Sequence, residues 1–225
     1  MMKAMAASAI VDFTSLKSRA TAREPFDHLI VPGFVRAEAL AGIEADFPEV
    51  DHPGSFPLAS LRFGARFADL VAALSGPEMT ALAGEKLGID LSGRPTTVTV
   101  RGQSRAADGK IHTDSKSKLV TLLLYMNGEW ESGEGRLRLL RGPDDLEDYV
   151  AEVPPDRGTL LLFRNGPAAW HGFAPFEGAR RVIQVNWVTD EAVVRREGTR
   201  HRLSALTKRL FGRRAGQGMA HAARH

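Results

Sequence analysis

From Thr96 onwards the chain consists of short runs of β-branched, aliphatic and aromatic residues, interrupted by Gly, Pro, Asp or Asn. The runs are Thr96 to Arg101, Leu119 to Met126, Arg136 to Leu140, Tyr149 to Val153, Thr159 to Phe163 and Arg180 to Val188. Residues of this kind fit a pleated, half-buried surface, and the punctuation between them supplies turns. Spacing this tight favours a sandwich or barrel over alternating βαβ units. No internal repeat accompanies it.

The amino-terminal third has a different texture. His28-Leu29-Ile30-Val31 reads as a short strand closed by Pro32-Gly33, and Ala37 to Phe47 carries Leu40, Ile43, Glu44 and Phe47 at helical spacing. A second helix is expected over Ala65 to Leu74. Ser75-Gly76-Pro77-Glu78 starts a third, with Pro77 in the first turn and Gly88 closing it beyond Leu87. Residues 1–24 lack sustained periodicity and read as a flexible lead or a first helix. The expected organisation is that lead, a domain over 25–190 that is helical in 25–95 and β-rich in 96–190, and a tail over 191–225.

The tail places Leu203, Leu206, Leu210 and Phe211 on one helical stripe, surrounded by Arg202, Lys208, Arg209, Arg213 and Arg214, and ends in GQGMAHAARH. It holds nine Arg/Lys against two Glu, which leaves residues 1–190 with 21 basic against 25 acidic residues. The net charge of +3 therefore combines a mildly acidic domain with a basic tail. A helix docked through its leucine stripe is the first reading of the tail, and peripheral membrane contact is the second. Nucleic acid is the weakest partner. A length of 225 residues suits one domain with an appendage. The sequence has no run of roughly 18 apolar residues, and the opening MMKAMAASAIVDF is too short for a secretory signal, so a cytoplasmic location is expected.

Zero cysteines exclude disulfide frameworks, thiolate zinc sites, iron–sulfur clusters and cysteine nucleophiles, so any metal must be held by His, Asp or Glu. The informative group is His112-Thr113-Asp114 with His171, 59 residues beyond His112. Chance alone yields roughly 0.4 His-x-Asp triplets in a chain of this composition, so the triplet needs context. In an extended segment, residues i and i+2 point to the same face, which lets His112 and Asp114 converge on one point. His171 from a neighbouring strand would complete a triangular face. Two imidazoles and one carboxylate form the donor set of non-haem Fe(II) oxygenases, which leaves coordination positions open.

Arg180 and Arg181 follow His171 by nine and ten residues. On an alternating strand Arg180 shares a face with Val182, Gln184 and Asn186, whereas Arg181 goes with Ile183, Val185 and Trp187. The first face is the polar one, so Arg180 is selected to pair with a carboxylate through its guanidinium fork. The same parity groups Thr121 and Tyr125 with Leu123, away from Val120, Leu122, Leu124 and Met126. The Tyr125 phenol is a second candidate anchor for that carboxylate.

With these residues in place, the stretch 96–188 resembles the Fe(II)- and 2-oxoglutarate-dependent dioxygenases, most closely their prolyl-4-hydroxylase-like branch. His112-x-Asp114 matches the proximal ligands, His171 the distal one, and Arg180 the residue that binds the far carboxylate of 2-oxoglutarate. Tyr125-Met126-Asn127-Gly128-Glu129-Trp130 is similar to that branch's Tyr-Leu-Asn-x-x-Trp segment, Gly133-Glu134-Gly135-Arg136-Leu137 to its Gly-Gly and following strand, and Gly158 to Phe163 to the strand leading to the distal His. Pro25 to Val35 resembles a leading strand frequent in these proteins. Two positions depart from the branch: the strand before the proximal ligands ends in Arg101-Gly102-Gln103 where a Tyr is usual, and Gln184 replaces a hydroxyl on the cosubstrate side.

The resemblance implies an α+β, mainly β fold: a double-stranded β-helix, or jelly roll of the cupin kind, with amino-terminal helices packed on one sheet and a C-terminal helix. It implies metal ligation by His112, Asp114 and His171, 2-oxoglutarate binding by Arg180, Tyr125, Thr121 and Gln184, and no catalytic residue beyond the metal centre. Fe(II), 2-oxoglutarate and O2 are the implied cofactors, with ascorbate as a reductant. The implied activity is hydroxylation of an unactivated C–H bond of a small or carrier-linked polar substrate, with release of succinate and CO2. A peptidyl prolyl hydroxylase and a non-catalytic cupin-like binding module are the alternatives. Asp114 occupies the ligand position that a halogenase would leave to Gly or Ala.

Other residues take plainer expectations. Trp130 and Trp187 read as core, and Trp170 and Phe173 as core with a substrate platform as the alternative. Arg101 and Arg105 divide between substrate contact and solvated loop, and Arg136 and Arg138 belong to an ordinary strand that reaches the pocket mouth at most. His28, His52, His201, His221 and His225 read as surface residues.

Overall fold

The computed structural model describes residue 7 and residues 9–196. All six β runs occur as strands, with ends shifted by a few residues. The described elements, in chain order, are helix α1 (Phe13–Ser18), strand β1 (His28–Val31), α2 (Ala37–Ala45), β2 (Phe56–Pro57), α3 (Ala65–Ser75), α4 (Pro77–Leu87), β3 (Thr96–Ser104), β4 (Lys118–Tyr125), β5 (Leu137–Leu140), β6 (Tyr149–Val153), β7 (Leu160–Arg164), β8 (His171–Gly172) and β9 (Gly178–Val188). Helix boundaries follow local chemistry. Gly88 sits in the left-handed region at φ 61° and lets Ile89 N donate back to Gly84 O, which closes α4. Asp46 ends α2 and lends its carboxylate to Arg66 N at 2.7 Å, capping α3 from outside its own sequence.

The strands form two sheets, one of six in the order β1-β7-β4-β9-β3-β2 and one of three in the order β6-β5-β8. Every pairing between these strands is antiparallel. A bridge between His112 and His171 continues the smaller sheet past β8. Strand alternation divides the large sheet into two hydrophobic faces. Val120, Leu122, Leu124, Ile183, Val185 and Trp187 pack against Phe67, Leu70, Leu74, Met79 and Leu87 of α3 and α4. Tyr125, Leu161, Phe163 and Val182 face Leu137, Leu139 and Val153 of the small sheet. The outcome is a jelly roll with its helices on the outside of the larger sheet. Trp187 is fully buried between sheet and helices and donates Nε1 to Thr80 Oγ1 at 3.1 Å, which satisfies its one polar atom.

Two expectations are corrected, for His28 and Trp130, and of the two readings of residues 1–24 the helix is the one observed: Ile10, Val11, Phe13 and Leu16 are buried, Asp12 N donates to Phe34 O, and Arg36 N donates to Ile10 O. A six-residue helix is too short to leave a periodic trace, and it depends on that docking and on the Asp12 cap for its stability. His28 is buried, because β1 pairs with β7, and its Nδ1 bonds Phe26 O at 2.9 Å. Trp130 lies outside both buried clusters, half-buried in a turn, where it stacks on Phe176 at 4.7 Å and donates Nε1 to Glu134 O. Residues 191–196 are helical; the leucine stripe, the basic run after it, and His201, His221 and His225 lie outside the described residues. Among the described residues no helix is long and apolar enough to cross a membrane.

Candidate metal centre and cosubstrate cavity

Between the two sheets lies a cavity of about 690 Å3. His112, Asp114 and His171 sit in its wall, each with a donor atom within 4.8 Å of the others. The backbone sets this convergence. His112 N donates to His171 O and His171 N to His112 O, both at 3.0 Å, so the two residues are a directly opposed antiparallel pair and present their rings on one side, with centroids 4.4 Å apart. Each ring Nδ1 lies beside a backbone carbonyl, Lys110 O at 2.8 Å for His112 and Ala169 O at 3.0 Å for His171. A carbonyl only accepts, so both Nδ1 atoms carry the proton and both Nε2 lone pairs stay available to a metal. Burial pushes His171 down to about 4, helped by the adjacent His112, and this keeps its ring neutral as a ligand must be.

Asp114 is held at both oxygens. Lys118 Nζ donates to Oδ1 and Thr121 Oγ1 to Oδ2, each at 2.7 Å. Burial pushes its pKa upward, but the Lys118 ammonium and its hydrogen bond, with smaller contributions from His171 and Thr121, outweigh that, and the net direction is down. Thr121 has one proton; the nearer, charged carboxylate is its stronger acceptor, and Asn186 Oδ1 at 3.1 Å is the alternative. Asn165 Nδ2 donates to the same hydroxyl at 2.9 Å, which leaves Thr121 fixed from several sides.

Arg180 lines the same cavity and is 6% exposed. Its Nε donates to Gly135 O at 2.9 Å, and its guanidinium lies 4.2 Å from the Phe173 ring centroid and 5.3 Å from that of Tyr125. Its Nη2 and the Tyr125 hydroxyl are both buried with no hydrogen-bond partner. Two orphaned donors next to a buried cation cost free energy unless an acceptor arrives. A carboxylate satisfies both and supplies the missing negative charge. Burial raises the Tyr125 pKa against the opposing Arg180 charge, so the phenol remains a donor. The residues present thus fit an iron ion at the triad and a dicarboxylic cosubstrate reaching Arg180.

Of the residues expected from sequence, His112, Asp114, His171, Thr121, Arg180 and Gln184 line this cavity. Thr121 contacts Asp114, and Gln184 donates Nε2 to Asn186 Oδ1 at 3.0 Å. Phe173 and Arg101 also line it; Trp170 and Arg105 do not. Arg138 is tied to Glu147 and Glu152, and Arg136 faces Glu152 at 3.9 Å, both away from the cavity lining. Asn186, on the polar face that parity gives β9, also lines the cavity, whereas Lys118 and Asn165 are neighbours of the site that the sequence did not single out. Among the described residues no other cluster of His, Asp and Glu meets the spacing for a metal. A second cavity of about 550 Å3 beside α4 holds none.

A jelly roll with two imidazoles, one carboxylate and a buried arginine around one cavity has the architecture of a non-haem iron oxygenase. Residues 102–189 match the family model of the 2OG-Fe(II) oxygenase superfamily. That match, over the β-rich core, and the triad indicate a 2-oxoglutarate-dependent oxygenase with Fe(II), 2-oxoglutarate and O2 as its cofactors. No curated protein sequence matches the chain. Among solved structures, a prolyl-4-hydroxylase from Pseudomonas putida is similar at 18% identity and a TM-score of 0.50, covering 84% of this chain and 96% of that one. A prolyl 4-hydroxylase structure from Phytophthora capsici is similar at 16% identity and a TM-score of 0.50, covering 78% and 68%. At such identities the likeness is one of fold.

Proposed function

We propose that the protein hydroxylates an unactivated C–H bond of a small or carrier-linked polar substrate, using His112, Asp114 and His171 to hold Fe(II) and Arg180 with Tyr125 to hold the far carboxylate of 2-oxoglutarate. The observation that carries this reading is a two-imidazole, one-carboxylate triad lining the same cavity as Arg180, whose orphaned Nη2 and the orphaned hydroxyl of the neighbouring Tyr125 await an acceptor. Fe(II), when bound, activates dioxygen at the expense of 2-oxoglutarate, so that one oxygen atom enters the substrate as hydroxyl, the other enters succinate, and CO2 leaves.

The chain's own residues position and shield. The two imidazoles donate neutral lone pairs, and the Lys110 and Ala169 carbonyls fix their tautomers. Lys118 and Thr121 orient the Asp114 carboxylate. Arg180 is itself aimed by Gly135 O and by the Phe173 ring, so its fork is ordered before the cosubstrate arrives. Leu123, Leu137, Val182 and Phe173 give the cavity apolar walls that limit water. Thr121 serves the cosubstrate indirectly, through Asp114, and Gln184 lies on the substrate-facing wall beside it.

The test is succinate formation from 2-oxoglutarate with Fe(II), O2 and ascorbate. Wild-type protein should release succinate slowly on its own and faster with substrate, and His112→Ala or Asp114→Ala should abolish both. A binding module would take up metal without forming succinate. Turnover by the two alanine variants at the wild-type rate would show that the metal sits elsewhere.

A further inference from the structure

Loading the cofactors leaves a charge unaccounted for. The two positive charges of Fe(II) are matched by Asp114 and one carboxylate of 2-oxoglutarate, and Arg180 is matched by the other carboxylate. Three cations remain in the cavity wall, Arg101, Lys110 and Lys118, against the single carboxylate of Asp108. The wall is therefore net positive in a domain whose residues 1–190 are net negative. A concave, partly desolvated wall focuses such a field.

The cations are also built into place. Arg101 is the inward-facing partner of Val182 on β9, the last regular pair before the register shifts, with Arg180 and Arg181 of β9 opposite Gly102. A side chain at Gly102 would put its Cβ 2.1 Å from Val50 O, so glycine is required next to Arg101. Asp108 lies 3.9 Å from Arg101 and 3.2 Å from Arg105, so it divides its attraction and leaves Arg101 unneutralised. Lys110 is exposed at the lip of the cavity and makes no ion pair among the described residues. Its backbone carbonyl orients His112, which fixes the lysine close to the metal end.

We infer that the substrate carries an oxyanion, a carboxylate or a phosphate, held by Arg101 and Lys110 while the carbon to be oxidised faces the metal. This rests on the oxygenase reading above and names the substrate class for the same cavity. Arg101 offers the fork, Lys110 the mobile point charge, and the Thr99 and Gln184 side chains a polar wall for the remainder of the molecule. A neutral prolyl peptide would leave the wall's charge unmatched.

The experiment uses the full chain loaded with Mn(II) and 2-oxoglutarate without oxygen, and reads the paramagnetic relaxation of probe protons. Probes are benzoate, phenyl phosphate and the neutral isostere benzamide. Both anions, or one of them, should be relaxed and benzamide should not, and the stronger anion identifies the preferred headgroup. Arg101→Gln with Lys110→Gln should weaken anion binding about tenfold or more. Lys116→Gln, which removes the same charge from an exposed residue outside the cavity lining, should not. Equal relaxation of benzamide, no relaxation of either anion, or indifference to the double substitution overturns the proposal while the oxygenase reading stands. Failure of Mn(II) itself to bind overturns both.

Discussion

Thr121→Val separates two roles for a residue that parity alone places on the cosubstrate face. The valine keeps the shape and removes the hydroxyl that donates to Asp114 Oδ2 at 2.7 Å from a site 1% exposed. A hydrogen bond to a charged acceptor in such a setting contributes about 1.5–3 kcal/mol. If the whole loss falls on the metal-bound state, affinity drops about 10- to 100-fold, at about 1.4 kcal/mol per tenfold. The usual cost of removing an outer partner of a metal ligand spans the same range. The smaller end is expected, because Lys118 still holds Oδ1 at 2.7 Å. The assay is anaerobic competition for Mn(II) against a fluorescent chelator, with 2-oxoglutarate affinity titrated separately on metal-saturated protein. Metal affinity should fall and cosubstrate affinity should change little. Metal affinity within about twofold of wild type, with cosubstrate binding collapsed, would refute the placement of Thr121 behind Asp114.

Arg180→Lys keeps the charge but loses the fork, the Nε bond to Gly135 O and the stacking on Phe173, so half-saturation by 2-oxoglutarate should rise about 10- to 100-fold, read by succinate formation with metal affinity as the control. Gly109→Ala forces a side chain at φ +87° and brings its Cβ 2.6 Å from Phe173, so stability should fall by about 1–3 kcal/mol in urea and 2-oxoglutarate binding should weaken with it, because Phe173 packs on Arg180. For pH, His171 is held neutral down to about 4 in the folded metal-free protein, against 6.5 ordinarily. Between these values the unfolded chain binds a proton that the folded one does not, so this contribution is complete above about 6.5 and is lost as pH falls towards 4, by roughly 3 kcal/mol. Urea midpoints of metal-free protein should follow that slope, and His171→Asn should flatten it.

What was legible in the sequence was legible because it is local. Strand period two separates Arg180, Val182 and Gln184 from Arg181, Ile183 and Val185, and the folded sheet keeps that division, with the first set lining the cavity and the second in the core (Arg181 itself is exposed, over Phe47). Helix stops at Gly88 and starts at Pro77 are likewise written in single residues. What was not legible depends on long-range contacts. His28 is buried only because β1 finds β7, some 130 residues away. The first ordered residues are held by backbone bonds to Phe34 and Ile10, which no side-chain pattern encodes.

Lys118 shows the limit most clearly. Simple alternation assigns it to the face of Val120, Leu122 and Leu124, which packs on the helices. The β4–β9 ladder, however, shifts register between Lys118 and Val120, and the extra residue turns Lys118 into the cavity beside Asp114. The same logic applies across the site. Of the residues expected to bind the cosubstrate, Tyr125, Thr121 and Gln184 lie on regular stretches of β4 and β9, where parity is reliable, and Arg180 lies just beyond Val182, inside the β3–β9 register shift. The cations of the wall come from beside one register shift at Lys118, from the last regular pair before another at Arg101, and from a loop at Lys110. Local parity therefore reads positions inside an unbroken ladder and loses those beyond a register shift or in a loop. Lys118 and Lys110, beside a register shift and in a loop, are for that reason positions of the cavity wall that periodicity passes over.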